Sequence, residues 1–467
     1  MRVRAISFTA PRSGSVTVSS TAPTLVARCV HGLEPTLAAE ILQLGAGMIT
    51  YLGHREIHFR TRRPRTRAVA LRTPDDVFLL AARCADIGVA KQGVSTLSRL
   101  ADLADLDSLA RARRRQGGPG TITGIEVSAS FLGRRNFNRY DVEDAVGRAL
   151  ARRLGVGYHS RRTGTAPPAG YAGWRVTLDG AHATLMLRIA DRPLHRRDYR
   201  RRTVPGSLHP PLAAAMVRMA DIRPGHTVVD PCCGAGTLLI EATAQQPQAR
   251  LYGFDLEVTA LRASHGNATR LPVAFPADTE RRLTPAGDID PARYNTADTR
   301  WRSMLDSDVG PGLFTWPEVE GLPTPDSGGA PAVFSQADAG SSPTPDSSIN
   351  RVVFARADAG RLPMPDGSAD RILSNPPWGG QVAGSGLLSS STSLWWAELR
   401  RVLAPGATAV VLLPDLDDLP IGVRHQLVPT HLQRVRVSGA ESYLVRLVAP
   451  RTRRGRKASP RNERTPL

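Results

Sequence analysis

The sequence predicts an α/β chain: a C-terminal doubly wound parallel sheet with a terminal antiparallel pair, preceded by smaller α+β modules. Three observations carry that expectation. From residue 209 onward, apolar strand-like runs alternate with runs at helical spacing, the rhythm of a parallel sheet with crossover helices. One of these units, "HTVVDPCCGAGTLLIEATA" (226–244), passes from strand to helix through a glycine turn. The N-terminal part instead mixes alternating strands with separate amphipathic helices. At 467 residues the chain is too long for a single core, so two or three domains are expected.

Folded pattern begins at "TLVARCVHGLEPTLAAEILQLGA" (24–46), an alternating strand followed by apolar residues at helical spacing. "GMITYLGHREIHFRT" (47–61) reads as two strands about a Gly-His turn. "TPDDVFLLAARCADIG" (73–88) reads as a helix, with Thr73 as its cap, Pro74 in the first turn, and Asp75 and Asp76 near the positive end. That order, strand–helix–strand–strand–helix, is typical of ferredoxin-like modules. A second module follows. "LSRLADLADLDSLARARRR" (97–115) reads as an amphipathic helix, "GIEVSASFLGRR" (124–135) as a strand, and "NRYDVEDAVGRALARRLG" (138–155) as a helix closed by Gly155. "WRVTLDG" (174–180) and "HATLMLRIA" (182–190) read as a hairpin, and "RPLHRRDYRRR" (192–202) as a basic linker.

In the C-terminal part, "HPPLAAAMVRMADI" (209–222) reads as a helix and "RLYGFDLEVTALRASHGNATR" (250–270) as strand then helix. The rhythm resumes with the strand and loop of "DRILSNPPW" (370–378), the helix "SLWWAELRRVL" (393–403) and the strand "ATAVVLLP" (407–414). "LQRVRVSG" and "ESYLVRLVAP" (432–450) close the pattern as an antiparallel pair. Between 272 and 350 lies an insertion rich in Pro, Asp, Gly and Ser. Residues 334–353 and 354–373 match at ten positions, a repeat of period 20 that makes Asp358 the functional copy and Asp338 its duplicate. The expected boundaries are 1–23 for a disordered extension, 24–75 and 76–191 for the two modules, 192–208 for the linker, 209–450 for the α/β domain, and 451–467 for a basic disordered tail.

The net charge is +19, almost wholly from arginine, since Lys91 and Lys457 are the two lysines. Arginine forks suit phosphate, so a polyanionic partner is expected. Four cysteines without CxxC spacing, and histidines without ligand spacing, argue against a metal site or a disulfide framework and for a reducing, cytoplasmic setting. No apolar run approaches the ~18 residues of a membrane span. Nothing in the sequence demands an obligate protein partner.

The chemistry concentrates in two motifs. In "VVDPCCGAGT" (228–237), Gly234 and Gly236 let the backbone approach a ligand, and the helix that follows offers free N–H groups. Nineteen residues past Gly236, Asp255 ends the next strand, where an acid can accept ribose hydroxyls. The GxGxxG spacing of a dinucleotide enzyme is absent, and Asp230 just before the turn disfavours a pyrophosphate but suits an ammonium group. In "SNPPWGG" (374–380), two prolines stiffen a strand exit. The Asn375 side chain and the Pro376 carbonyl are two acceptors for an exocyclic –NH2, and Trp378 offers a stacking face worth ~1–3 kcal/mol per base.

With "DPCCGAGT" and "NPPW", the segment 203–450 resembles a Rossmann-like class I S-adenosylmethionine-dependent methyltransferase of the amino-methylating group. The resemblance implies a catalytic loop of Asn375, Pro376, Pro377 and Trp378. It implies a cofactor site of Pro205, Ser207, Leu208, Asp230, Cys232, Gly234, Gly236, Asp255, Leu256, Asp358, Ala359 and Asn375. "VHGLEPTLAAEI", "DVEDAVGRAL" and "RPLHRRDYRRRTVPGSLHPPLAAAM" resemble the ferredoxin-like plus THUMP arrangement of RNA guanine-N2 methyltransferases, those acting on the tRNA acceptor stem at position 6 above all. THUMP domains of that family grip the 3′ CCA end of tRNA. The resemblance thus makes tRNA the partner, and Arg192, Arg196, Arg197, Arg200, Arg201 and Arg202 its phosphate contacts. Ribosomal RNA guanine-N2 methylation, DNA adenine-N6 methylation and an inert RNA-binding protein are the competing readings. The THUMP-like half argues against DNA, and the intact Asp230, Asp255 and Asn375 argue against inertness.

Overall fold

The computed structural model describes residues 22–61, 64–269, 352–377, 384–437 and 439–451. The expectations for residues 1–21, for the 272–350 insertion and Asp338, for Trp378 and for the tail beyond Arg451 lie outside the described residues. The chain divides into two compact units. One comprises Met1–Arg28, Ala38–Leu71 and Asp76–Leu194; the other comprises Cys29–Leu37, Arg72–Asp75 and His195–Leu467.

The first unit is built on β1 (Thr24–Arg28), β2 (Met48–Gly53), β3 (Glu56–Arg60), β4 (Asp76–Ala85), β5 (Gly124–Phe131), β6 (Gly157–His159), β7 (Tyr171–Leu178) and β8 (His182–Arg188). These form one eight-stranded sheet in the order β2-β3-β1-β4-β8-β7-β5-β6. Its helices are α1 (Glu34–Gln43, which begins in the other unit), α2 (Arg99–Leu103), α3 (Leu106–Arg115) and α4 (Arg139–Leu154). The capping box of Asn138 with Asp141 starts α4, and Gly155 at φ 65° stops it.

Residues 73–88 are not a helix. Asp76–Ala85 is strand β4, paired with β1 on one side and β8 on the other. A strand buried on both faces reads as a continuous apolar run, which periodicity alone cannot separate from a buried helix. Asp76 is used accordingly: it bonds Arg188 at 2.6 Å rather than a helix N-terminus. The helix expected over 97–115 is broken at Ala104, because Asp105 accepts the Ser108 N–H at 3.0 Å and starts a new helix there.

The second unit contains α5 (Pro210–Ala220), β9 (Thr227–Asp230), α6 (Thr237–Gln245), β10 (Arg250–Asp255), α7 (Val258–Ala268), β11 (Val352–Arg356), β12 (Ala369–Ser374), α8 (Leu387–Ser390), α9 (Thr392–Val402), β13 (Leu403–Leu413), α10 (Leu419–Arg424), β14 (Val428–Val437) and β15 (Ala440–Val448). The sheet order is β11-β10-β9-β12-β13-β15-β14. The first five strands run parallel, and β15 is antiparallel to both of its neighbours. One core joins Val229, Phe254, Ile372, Val411 and Leu447 of the sheet to Trp395, Trp396 and Leu399 of α9. Among the described residues, no helix is long and apolar enough to cross a membrane.

Candidate active site

Parallel register brings four strand ends to one edge of the second unit. Gly253 stands beside Asp230, Asp255 beside Arg356, and Ile372 beside Val229. Asp230, Asp255, the loop carrying Asp358, and Asn375 therefore all follow the carboxyl ends of neighbouring strands. The strand order reverses between β9 and β12, the place where open α/β sheets bind ligands.

The turn after β9 needs its glycines. Gly234 and Gly236 take φ of 52° and 77°. A Cβ on Gly234 would meet nothing nearer than Val204 at 3.8 Å, so a cradle is open there. The Gly234 N–H donates to Asp255 Oδ2 at 2.8 Å, and the Glu257 N–H to Asp255 Oδ1 at 2.9 Å. Asp230 is 1% exposed and accepts one N–H, from Cys232 at 3.2 Å. Burial pushes its carboxyl well above the usual range; the Cys232 N–H opposes this and the charge of Asp255 adds to it. Burial likewise raises Asp255. Two acids raised together at one strand edge are poised for a ligand with a positive charge and hydroxyl donors.

The linker forms another wall. Ser207 closes a turn on Val204, donating its N–H to the Val204 carbonyl at 3.0 Å and accepting the Val204 N–H on Oγ at 2.8 Å. The Gly206 carbonyl in this turn accepts from Asn375 Nδ2 at 3.4 Å. Pro205 and Gly206 are exposed, Leu208 is buried, Asn375 and Pro377 are half-buried, and Pro376 is buried. Opposite, the Asp358 carboxylate accepts the N–H groups of Gly360 and Leu387, each at 2.8 Å, while Ala359 is buried and the Leu256 carbonyl accepts from Arg356. Cys233 is buried and Cys232 half-buried; burial raises both thiols well above the ordinary range, so neither is a ready nucleophile.

The six linker arginines divide. Arg192, Arg196, Arg201 and Arg202 are exposed. Arg197 is not a surface cation: its Nε donates to Glu241 at 2.9 Å and its terminal nitrogen to the Arg72 carbonyl at 2.6 Å. Arg200 donates to the Leu208 carbonyl at 3.0 Å. Arg197 and Arg200 thus direct donors to the protein, while the other four stand exposed.

Two residues escaped the sequence reading. Glu241, a lone acid in the apolar run of α6, is fully buried beneath Arg72, Arg197 and Tyr199. An acid inside such a run is the signal that was available. Asn267 gave none. It is fully buried on α7; its Oδ1 accepts the N–H groups of Arg201 and Arg202, and its Nδ2 donates to the carbonyls of Arg202 and Ala235, all between 2.9 and 3.0 Å. One amide thus ties the linker to the glycine turn with every hydrogen bond satisfied. Asn267→Ala orphans the buried Ala235 carbonyl and frees three part-buried linker groups to water, and should cost about 1–3 kcal/mol, the penalty for one buried group left unpaired, while weakening S-adenosylhomocysteine binding. Melting and calorimetric titration check both effects, and unchanged ligand affinity removes Asn267 from the site's support.

Residues 197–301 match the family described as UPF0020: RMKL-like, methyltransferase domain. Over 134 residues the chain is 37% identical to the tRNA (guanine(6)-N2)-methyltransferase of Thermus thermophilus, an alignment covering 28% of this chain and 38% of that relative's length. In structure, the chain matches TrmN from Thermus thermophilus at a TM-score of 0.58 and 23% identity, over 91% of this chain and 99% of that one. SMU.472, solved complexed with SAH, matches at 0.54 and 13% identity, over 93% and 100% of the two chains. The segment 197–301 is thus matched in sequence to an RMKL-like methyltransferase domain, on a fold the chain shares with TrmN.

Proposed function

We propose that the chain is an S-adenosylmethionine-dependent methyltransferase acting on the exocyclic N2 amine of a guanosine in tRNA, at position 6 of the acceptor stem. One observation carries this reading. The acid-and-glycine cradle after β9 and β10 lies one strand from Asn375, so a methyl donor and a planar amine find places side by side. The tRNA (guanine(6)-N2)-methyltransferase named for the Thermus relative supports the substrate.

The residues fit the cofactor. Asp230 lies buried with one N–H partner, and Gly234 leaves room where a Cβ would intrude. S-adenosylmethionine supplies an activated methyl group. Asp230 would hold its ammonium end, Asp255 the ribose hydroxyls, and Asp358 with Ala359 and Leu256 the adenine. Pro205, Ser207, Leu208 and Cys232 would complete the wall. Asn375 Oδ1 and the Pro376 carbonyl would accept hydrogen bonds from the two N–H groups of the amine, which would orient its nitrogen lone pair and supply catalysis mainly as proximity. Trp378 would stack on the base. No covalent intermediate to the protein is needed.

In the same reading, residues 24–75 are a ferredoxin-like module and 76–191 a THUMP module that together present the 3′ CCA end. Arg192, Arg196, Arg201 and Arg202 contact phosphates, and the enzyme works in the cytoplasm without an obligate protein partner. The test is incubation with tRNA and labelled S-adenosylmethionine, followed by nucleoside mass spectrometry. N2-methylguanosine at position 6 is expected. Label in ribosomal RNA alone, or in DNA adenine, replaces the substrate; no transfer to any nucleic acid removes the activity.

A further inference from the structure

The eight-stranded sheet has two unlike faces. On one, Leu25, Ala27, Ile57, Phe59, Leu79 and Leu187 are fully buried or within 1% of it. The alternate residues make the other face. At its centre Val26, Phe78 and Met186 form a small buried apolar cluster, each 2% exposed or less. Around that cluster the register places Arg28 beside Glu56 and Asp76, Arg188 beside Phe78, and Arg175 beside Met186 and Ser128.

The carboxylates of this face are already committed. Glu56 binds Arg28 at 2.7 Å and His58 at 3.0 Å, and Arg188 takes Asp76 at 2.6 Å and Glu126 at 3.3 Å. Three further arginines hydrogen-bond only to hydroxyls among the described residues: Arg60 to Thr24 at 2.9 Å, Arg83 to Thr184 at 3.3 Å, and Arg175 to Ser130 at 2.9 Å. The Nε of Arg175 is buried with no partner. Burial, and then the charges of Arg28, Arg188 and Arg55 set against Asp76 alone, push this guanidinium down to about 10. A half-buried cation surrounded by more cations than anions is costly unless an anion arrives.

We propose that this sheet face, with Arg83 on its middle strand and Arg60 and Arg175 two strands to either side, docks the phosphodiester backbone of RNA. The inference rests on RNA being the substrate. Each guanidinium has donors left for a bidentate grip on phosphate oxygens. The three arginines stand on β3, β4 and β7, two strand spacings apart in each case, or about 10 Å. That separation is too wide for one phosphate and suits separate, non-adjacent phosphates along a strand. The net charge of +19 draws such a polyanion in.

The experiment uses the full chain and a tRNA transcript, with affinity measured by fluorescence anisotropy across a salt series. Arg175→Gln should bind about tenfold more weakly at 0.1 M salt and lower the slope of log affinity against log salt by about one. Arg175→Lys should keep the slope. Arg83→Gln and Arg60→Gln, both at exposed positions, should do the same as Arg175→Gln and carry the test if the first variant melts early. Unchanged affinity and slope in all three glutamine variants overturn the proposal and leave the substrate reading intact. If the wild-type protein binds no tRNA yet is stabilised by inorganic phosphate in an Arg175-dependent way, the face holds a small anion, and both the RNA dock and the substrate reading fall.

Discussion

Asn375→Ala should lower kcat about 10²- to 10³-fold, the usual cost of removing one preorganised hydrogen-bonding group aimed at the reacting atoms. Its affinity for S-adenosylhomocysteine should hardly move, since the cradle is built by Asp230, Gly234 and Asp255 on other strands. The fold should also tolerate the change. Among the described residues the side chain makes one long bond, to the Gly206 carbonyl at 3.4 Å, in a half-buried position. Initial rates of methyl transfer, read beside calorimetric titration of the product cofactor, separate the two effects. A kcat within threefold of wild type would take the side-chain acceptor out of the mechanism and leave the Pro376 carbonyl alone to hold the amine.

Glu241→Gln should cost about 3–5 kcal/mol, the penalty for breaking a buried ion pair from one side. The carboxylate is fully buried and receives Arg72 at 2.6 Å, Arg197 at 2.9 Å and the Tyr199 hydroxyl at 2.8 Å. Neutralising it removes the carboxylate that Arg197, with a side chain 9% exposed, and Arg72, 27% exposed, both bind. A pH dependence follows. Burial pushes the Glu241 carboxyl up, but the guanidiniums of Arg72 and Arg197 outweigh it and hold the group below the ordinary glutamate value of 4.5. The folded protein therefore binds its proton more weakly than the unfolded chain does. The stabilisation is complete above that ordinary value and drains away as pH falls through the depressed one. Denaturant unfolding at several pH values should show wild type and Glu241→Gln converging in acid. A difference below 1 kcal/mol at neutral pH contradicts the ion-pair account.

How much of this could be read from the chain depended on range. The β9 turn and the Asn-Pro-Pro exit of β12 were legible because each is a local device: glycines at positive φ, prolines at a strand end. Strand β4 was not, because a run buried on both faces lacks the alternation that marks a strand. Nor could the sequence separate Arg197 from its exposed neighbours. Its partner Glu241 lies 44 residues away, and only the folded chain brings them together. The continuity of the N-terminal sheet was hidden for the same reason: Asp76 and Arg188, which meet where β4 pairs with β8, are 112 residues apart.

The adjacency of β9 and β12 also limits how the chemistry can vary. Under the proposed reading, the donor cradle and the amine grip hang from neighbouring rungs of one backbone ladder, about 4.8 Å apart. Their separation is therefore quantised. A one-residue slip of β12 would turn Asn375 to the opposite side of the sheet, and a two-residue slip would carry it about 6.6 Å along. No half-step brings a slightly larger or smaller base into reach, so a change of target has to come from the loops around the grip rather than from the strands that hold it.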